Sequence, residues 1–259
     1  MHSFIDMLWI EQRKALRSGM PLWTALGSAF MPLAIAFLIF VSRNPEISQK
    51  LGLVSAKANL VAYAATDWQT YMSLFGQLVG AAGFFLFMLT ISWVFGREFV
   101  DATLKDMWAV PVPRSSILLA KFGVVVLWSV TLGIIMLVIG LLMGAAINIP
   151  GGSLAVITRG SMVFGITASL VIVLTFPFAF FASVGRGYLL PIALAMLALM
   201  LTNLAALTGW GEYFPLAVPG LYAQGKSILA PISYWIVIIT GLLGILATYL
   251  WWHYADQSR

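Results

Sequence analysis

Long runs of apolar residues dominate the sequence. Six of these runs reach the roughly 20 residues that a helix needs to cross a hydrocarbon core about 30 Å thick. The pattern predicts an all-α integral membrane protein of six transmembrane helices, forming a single transmembrane domain over residues 1–259. The predicted spans are residues 20–41, 74–95, 117–143, 161–183, 188–208 and 232–252. Lys121 is the only charged residue inside a predicted span, and it lies close enough to an end for its ammonium group to reach the membrane surface.

The segment before the first span predicts an amphipathic helix that lies in the membrane interface. On a helical projection its apolar side chains share one arc, while Asp6, Arg13 and Arg17 lie opposite. Gly19 and Pro21 interrupt the run, which favours this interpretation over a helical extension of the first span. The mixed charges and the full-length span that follows are not those of a cleavable signal peptide. The candidate interfacial residues are Trp9, Glu11, Lys14 and Arg17.

The composition supports lipid as the solvent of the chain. Hydrophobic residues make up 61% and charged residues 9% of the sequence, whereas soluble domains average about 45–50% and about 25%. These fractions exclude a soluble globular domain, a disordered chain, a coiled coil and a nucleic-acid-binding protein. The net charge of +5 therefore reflects loops that face a membrane surface. Because there is no cysteine, disulfides, thiolate metal sites and cysteine nucleophiles are excluded.

The distribution of lysine and arginine predicts the orientation in the membrane. One side carries nine basic residues: Arg13, Lys14, Arg17, Arg97, Lys105, Arg114, Lys121, Arg186 and Arg259. The other side carries five: Arg43, Lys50, Lys57, Arg159 and Lys226. Since cytoplasmic loops carry the excess of positive charge, both termini are expected in the cytoplasm of a multi-pass protein of the cell (inner) membrane.

Residues 96–116, between the second and third spans, concentrate the charges of the chain. Phe99, Leu104, Met107 and Trp108 can form an apolar stripe, with acids and bases on the remaining surface. A helix of about ten to twelve residues would extend roughly 15–18 Å along the membrane surface and would end before Pro111 and Pro113. An ordinary solvated loop would not need so many apolar residues beside paired charges. We therefore expect a docking helix for a cytoplasmic partner.

Two loops on the other side are distinctive. Residues 42–73 form a long loop that ends in a predicted interfacial cluster of Asp67, Trp68 and Tyr71. Residues 209–231 are so apolar that we expect them to dip back into the bilayer, shielded by protein. Residues 220–227 match the phosphate-binding pattern G-x-x-x-x-G-K-[ST], but the strand and the soluble α/β domain that the motif requires are absent from the pattern. The match is interpreted as a coincidence, and no nucleotide site is expected.

The predicted spans contain few residues that could bind a metal ion or transfer a proton. His2 and His253 lie at opposite ends of the chain, which argues against a metal site, and the lack of acids within the spans argues against a proton relay. Uncharged polar residues are interpreted mainly as hydrogen-bonding contacts between helices. Gln77 and Asn203 are the candidates for lining a transport pathway. Four glycines at small-xxx-small spacing, Gly76/Gly80 and Gly140/Gly144, predict close helix packing, and Pro32, Pro177 and Pro191 predict kinks.

The charged segment resembles the signature of type-2 ABC exporter permeases. The matching residues are Gly96, Arg97, Glu98, Thr103, Lys105, Pro111, Val112, Arg114 and Lys121. The run Glu11–Lys14–Arg17–Ser18 and the stretch of residues 213–219 are similar to the branch of bacitracin-resistance and lantibiotic-immunity permeases. The six-span layout agrees, so the resemblance covers essentially the whole chain. The signature usually has a leucine-rich stretch before Pro111, whereas this chain has Met107, Trp108, Ala109 and Val110 there. This departure bears on which ATPase the chain recognises.

The resemblance implies the partners and the working parts. It implies a pair of permeases, identical or related, bound to two copies of a separately encoded cytoplasmic ATPase. That ATPase would hold the ATP and magnesium. This chain would then carry no nucleotide-binding domain, no cofactor and no catalytic residue. The N-terminal helix would lie at the inner interface, and residues 97–114 would form the coupling helix. Phe214, Pro215 and Pro219 would belong to a re-entrant hairpin before the sixth span. The residues implied in coupling are Arg97, Glu98, Asp101, Thr103, Lys105, Met107, Trp108, Pro111, Pro113 and Arg114.

The expected function is an ATP-driven export permease. Coupling helices would carry the closure of the ATPases into the spans, and the apolar interior favours an amphipathic peptide or lipid-like cargo over a bare ion. A stand-alone secondary transporter or channel remains an alternative, as does an ATPase-linked sensor or detoxification subunit without net export. An intramembrane enzyme is disfavoured because the spans hold so few ionisable residues.

Overall fold

The computed structural model describes residues 2–44, 46, 67–103, 112–225 and 229–254. Within these ranges the structure is entirely helical, without a β-strand. The α-helices are α1 (His2–Leu16), α2 (Met20–Arg43), α3 (Trp68–Leu78), α4 (Phe84–Val100), α5 (Arg114–Ala146), α6 (Leu154–Thr175), α7 (Pro177–Val184), α8 (Leu189–Leu207), α9 (Val218–Gln224) and α10 (Pro231–Tyr254). A π-helical turn, Val79–Gly83, joins α3 to α4, and two 3₁₀ turns, Gly211–Tyr213 and Pro215–Ala217, precede α9.

The six predicted spans are confirmed, and most are longer than predicted. They are Met20–Arg43, Trp68–Val100, Arg114–Ala146, Leu154–Val184, Leu189–Leu207 and Pro231–Tyr254. The second span is the most enclosed: 61% of its most apolar window is buried, compared with 11% for the fifth. The core therefore lies around α3 and α4, with the fifth span at the edge of the bundle.

Because the spans alternate in direction, their connections gather at two ends. One end, called the cluster end below, holds residues 17–19, 101–103, 112–113 and 185–188. The opposite end holds residues 44, 67, 147–153, 208–217 and 229–230. Arg186 sits at positive φ in the tight turn that joins the fourth and fifth spans.

The small-xxx-small pairs are in close helix contacts, as predicted. A Cβ at Gly144 would approach the rings of Trp68 and Tyr71 within 3.0 Å, and a Cβ at Gly76 would lie 3.0 Å from the Cβ of Ala223. Trp68 and Tyr71 are consequently buried, at 6% and 0% exposure. The prediction of an interfacial aromatic cluster at these residues was wrong: glycines on α5 leave room for the two rings inside the bundle.

The three prolines act in different ways. Pro32 lies inside α2. Pro177 begins α7 after α6 has ended at Thr175, so it breaks the fourth span into two helices. Pro191 is in the first turn of α8, where the missing N–H has no intrahelical partner to lose. The kink predicted at Pro191 was therefore wrong.

Three of the polar contacts between spans come from aromatic side chains. Tyr71 donates to the carbonyl of Gly140 at 2.6 Å. Trp128 and Trp252 donate through their indole N–H groups to the hydroxyls of Thr24 (3.1 Å) and Ser183 (2.8 Å). By contrast, Gln77, Thr202 and Asn203 bond within their own helices. The general expectation that uncharged polar side chains link helices therefore does not hold for these three residues.

Candidate functional site

Four charged side chains from three helices meet at the cluster end of the bundle. We call Glu11, Lys14, Glu98 and Lys121 the charge cluster. The ammonium group of Lys121 lies 2.9 Å from Glu11 Oε2 and 2.9 Å from Glu98 Oε1. Lys14 Nζ lies 3.0 Å from Glu11 Oε1 and 3.1 Å from Glu98 Oε1. The two carboxylates thus bridge two ammonium groups, and the cluster is neutral.

The charge cluster is deeply enclosed. Lys121 has no exposed surface, and Glu11 and Glu98 are 5% and 3% exposed. Lys121 also donates to the carbonyl of Val94 at 3.2 Å, so the ammonium group has three acceptors. The expectation that Lys121 extends to the membrane surface was wrong: its neighbours bring two acids to it. Such a group is stable only when every charge is paired and hydrogen-bonded.

Lys14 lies at the rim of the cluster. Partial burial lowers the pKa of Lys14, but the carboxylates of Glu11 and Glu98 raise it by more, so the net shift is upward from its ordinary value of 10.5. A raised pKa in the folded state means that the contribution of Lys14 to stability is complete below pH 10.5. That contribution is lost as the pH rises through the folded-state pKa. Lys14 therefore stays charged throughout the neutral range.

The charge cluster fixes Thr103, the residue that precedes segment 104–111. Thr103, immediately before this segment, donates its hydroxyl proton to Glu98 Oε2 at 2.6 Å and its backbone N–H to the Glu98 carbonyl at 3.1 Å. Arg97 donates to Asp101 at 2.9 Å and to the backbone carbonyl of Lys14 at 3.3 Å. The chain thus enters segment 104–111 from a point that is bound to α1, α4 and α5.

On the other side of the segment, Arg114 is bound to the last span. It is the first residue of α5, preceded by Pro113, and it donates to the carbonyl of Trp252 at 3.1 Å. A second, longer bond reaches the carbonyl of His253 at 3.4 Å. These carbonyls belong to the last turn of α10, where a cation is favoured by the helix dipole. Thr103 and Arg114, on the two sides of segment 104–111, are therefore attached to different parts of the bundle.

The predicted docking helix does not begin where the sequence suggested. Helix α4 continues to Val100, and Ala102 then adopts a φ of 55°. Glu98 points into the bundle, and the Phe99 ring packs against Trp252 with centroids 6.4 Å apart. The first residues of the predicted helix thus belong to the second span. Lys105, Met107, Trp108 and Pro111 lie outside the described residues.

Helix α1 has three faces instead of the two that were predicted. Met7, Glu11 and Ala15 are buried against the bundle, with Lys14 half-buried beside them. Ile5, Trp9 and Leu16 form an exposed apolar face. The exposed Asp6 and Arg13 form the third face, and Arg17 follows directly after the helix. The Arg13 guanidinium lies 4.1 Å from the centre of the Trp9 ring. The buried face carries the polar Glu11 because the charge cluster lies beneath it.

Gln77 and Asn203 lie in one cavity. The cavity has a volume of about 230 Å³ and is also lined by Thr202, Gly220 and Gln224. Gln77 is half-buried and Asn203 is exposed. The structure therefore brings the two candidate pathway residues together, at the end of the bundle opposite the charge cluster.

The connection before the sixth span packs on the bundle through α9. Pro219 is buried, and Phe214 and Pro215 are half-buried. Residues Gly220–Gln224 of the phosphate-binding pattern are helical, whereas the motif needs an open loop. Gly225 ends this helix at a φ of 61°, and the lysine and serine of the pattern lie outside the described residues.

Sequence reasoning identified the members of the charge cluster but missed the cluster itself. Glu11 and Lys14 were assigned to the interface, and Glu98 was assigned to a partner surface. One signal could have found it, because a lysine inside a membrane span calls for an acidic partner. In the described residues, no group of three histidine, cysteine or acidic side chains could hold a metal ion.

Comparisons with known proteins place these features in context. Residues 7–202 match a family described as "ABC-2 family transporter protein". A bacitracin transport permease protein, BCRB, of Bacillus licheniformis is 27% identical over 174 residues, which cover 66% of this chain and 84% of that protein. No solved structure matches the chain.

Proposed function

Because the chain belongs to the ABC-2 family of transporter proteins, we propose that it is the permease subunit of an ATP-driven exporter. The subunit is a multi-pass membrane protein, and it acts with two copies of a cytoplasmic ABC ATPase and with a second permease, identical or related. It is not catalytic itself and needs no cofactor of its own. ATP and magnesium belong to the ATPase, and no nucleotide-binding domain is assigned to this chain.

The attachment of the residues on either side of segment 104–111 supports this mechanism. Thr103 is bound to the charge cluster, and Arg114 is bound to the end of α10. A force on the segment would act on α1, α4 and α5 at one end and on α10 at the other. The segment is therefore suited to convert closure of the ATPases into movement of several spans at once.

Orientation follows from the same assignment. The segment meets a cytoplasmic ATPase, so the cluster end faces the cytoplasm, and both termini lie there. The membrane is the cell (inner) membrane, and α1 lies at its inner surface with Ile5, Trp9 and Leu16 toward lipid. The connection through Phe214, Pro215 and Pro219 is then on the outer side, as a re-entrant hairpin.

The cargo is an amphipathic or lipid-like molecule, such as a peptide antibiotic. Two observations support this class: the relative named as a bacitracin transport permease and the cavity that holds Gln77 and Asn203 among apolar residues. Export from the cytoplasm or from the membrane would confer resistance or immunity to such a compound. A sensor or detoxification subunit without net export is the second candidate, and a stand-alone transporter or channel is the third.

The experiment compares two tryptophan variants. Trp108→Ala alters segment 104–111, and Trp210→Ala alters an exposed residue, 69% accessible, at the opposite end of the bundle. Each chain is purified from its native membrane, and co-purified ATPase is quantified. We expect wild type and Trp210→Ala to retain the ATPase and Trp108→Ala to lose most of it. A well-folded wild-type chain without any ATPase would contradict the proposal.

Transport is then measured in inverted vesicles that contain the intact complex. ATP-dependent uptake of a peptide antibiotic supports export. ATP hydrolysis that responds to the antibiotic without any uptake would favour the sensor. Stimulation by sodium or copper, and by no amphiphile, would contradict the assigned cargo class.

A further inference from the structure

Three overlapping depressions run along one face of α6. The first, of about 320 Å³, lies between α3, α6 and α9. The second, of about 460 Å³, shares Arg159 and Val163 with the first. The third, of about 480 Å³, shares Met162 and Ile166 with the second and continues to Val173. We call the three together the α6–α10 groove, because α10 forms the other wall of its deeper part.

The groove changes from polar to apolar along its length. Its upper part, at the end opposite the charge cluster, is lined by Arg159, Gln69, Ser73 and Gln224. Its lower part is lined almost entirely by aliphatic side chains of α6 and α10. Arg159 and Val173 are fourteen residues apart, which corresponds to about 21 Å along the helix. The groove thus extends over much of a hydrocarbon core of about 30 Å.

Arg159 is the only charged residue that lines the groove within the described ranges. No acidic side chain pairs with it in that part of the chain. It contrasts with Lys121, whose charge two carboxylates compensate. A guanidinium group beside an apolar wall favours a planar or tetrahedral oxyanion, with phosphate among the best matches.

Gly165 forms the floor of the lower part. A Cβ at this position would meet no atom within 4 Å, so the glycine is not required by packing against a neighbouring helix. Gly160, one turn above, is different: a Cβ there would collide with Met72. Open space at Gly165 continues the groove where a side chain would otherwise fill it.

We propose that the α6–α10 groove binds a phosphate-bearing lipid, with the phosphate on Arg159 and one hydrocarbon chain along α6 past Gly165. The charge, the polarity gradient and the length select this class over a free anion, which would not need the apolar part. They also select it over a neutral lipid, which would not need Arg159. All the residues that line the groove belong to this chain, so binding can be tested without the ATPase.

The probe is a phosphatidic acid that carries a photoreactive group on one acyl chain. The full chain is placed in neutral-lipid nanodiscs with the probe, irradiated, and mapped by peptide mass spectrometry. We expect crosslinks on α6 and α10. Unlabelled phosphatidic acid should remove them, whereas diacylglycerol and inorganic phosphate at the same concentration should not.

Four variants separate the two halves of the site. Arg159→Gln should lower crosslinking at least tenfold, and Arg159→Lys should retain most of it. Gly165→Leu should remove the crosslinks in the lower part because the side chain fills the groove. Ala193→Leu, which adds the same apolar bulk on the exposed surface of α8 outside the groove, should have no effect. Size-exclusion profiles and unfolding temperatures matching wild type establish that each variant is folded.

Several outcomes would overturn the proposal. Equal crosslinking in Arg159→Gln and wild type would mean that the probe contacts the groove only as bulk lipid, without binding to Arg159. Competition by inorganic phosphate would mean that the site takes a free anion. Competition by diacylglycerol would mean that the site does not recognise the phosphate. Unchanged crosslinks in Gly165→Leu would mean that the acyl chain does not follow the groove.

Discussion

At the scale of single residues, Lys121 shows how strongly the interior constrains charge. Its ammonium group has no contact with solvent and lies 2.9 Å from each of two carboxylates. Buried pairs of this kind gain little over an apolar replacement of the whole group, but losing one member leaves the others uncompensated. Single and paired substitutions in the charge cluster are therefore expected to differ sharply in their effect on the free energy of unfolding.

Replacing Lys121 by glutamine should destabilise the fold by about 3–5 kcal/mol. The reason is that Glu11 and Glu98 would remain buried with only Lys14 between them. The measurement is the unfolding of the purified chain in detergent, followed by tryptophan fluorescence. Lys14→Gln serves as the matched control, because Lys14 is 37% exposed and water can replace part of its interaction.

The double variant Glu98→Gln/Lys121→Gln tests the assignment further. It removes one charge of each sign, so it should be more stable than Lys121→Gln alone. Should the two single losses simply add, the carboxylate and the ammonium group would not be interacting, and the charge cluster would lose its physical basis.

At the scale of elements, the close approach of α10 to the break between α6 and α7 depends on glycine. A Cβ at Gly244 would meet the backbone N of Pro177, and a Cβ at Gly241 would meet Val173. Backbone atoms cannot move aside as a flexible side chain can. Helix α10 therefore packs directly against the fourth span at Gly241 and Gly244, which have no side chains.

Gly244→Val should destabilise the chain by about 3 kcal/mol, at the upper end of the range for overpacked cores. Gly165→Val places the same side chain on α6 in open space and should change stability by less than about 0.5 kcal/mol. Thermal unfolding of both variants in detergent gives the comparison. Similar losses in the two would show that helix propensity, and not the contact with Pro177, decides the effect.

The elements differ in how far the sequence could define them. All six spans follow from apolar runs, because burial in lipid requires such runs wherever a helix crosses. The start of the second span at Trp68 was missed, since Asp67, Gln69 and Thr70 have the composition of a loop. Asp67 is instead the N-cap of α3, accepting the N–H of Thr70 at 2.8 Å. Glycines on α5, far along the chain, decide that Trp68 and Tyr71 are buried.

The candidate site was predicted in its members and missed in its geometry. Residues 97–114 stand out by charge, and their proximity to the N-terminal helix could not be read from spacing. Glu11 and Lys121 are 110 positions apart, and their contact depends on how α1 packs against α5. The inward direction of Glu98 follows from the continuation of α4 to Val100, because helix geometry then fixes which way residue 98 points.

At the scale of the whole molecule, the two ends of the bundle predict its orientation in the membrane. Since the chain has no cysteine, single introduced cysteines report on each end without background. Leu154 is 79% exposed at the start of α6, and Leu189 is 82% exposed at the start of α8, at the cluster end. Both lie outside the charge cluster and the α6–α10 groove.

A membrane-impermeant maleimide applied to intact cells should label Leu154→Cys. It should label Leu189→Cys only after the membrane is permeabilised, because the cluster end faces the cytoplasm in the proposed orientation. The reverse pattern would place segment 104–111 outside the cell and would remove the basis for its contact with a cytoplasmic ATPase. Transport activity of both variants confirms that labelling reports on the working protein.

The charge cluster also has a consequence for how the protein is made. Glu11 and Glu98 are synthesised before Lys121, by 110 and 23 positions respectively. Until the first part of α5 has emerged, a nascent chain has two carboxylates destined for the interior with only Lys14 to compensate them. Docking of α1 against the spans must therefore follow synthesis of the third span. A chain truncated before residue 121 leaves acidic groups without their partner, a defect that membrane quality control can recognise.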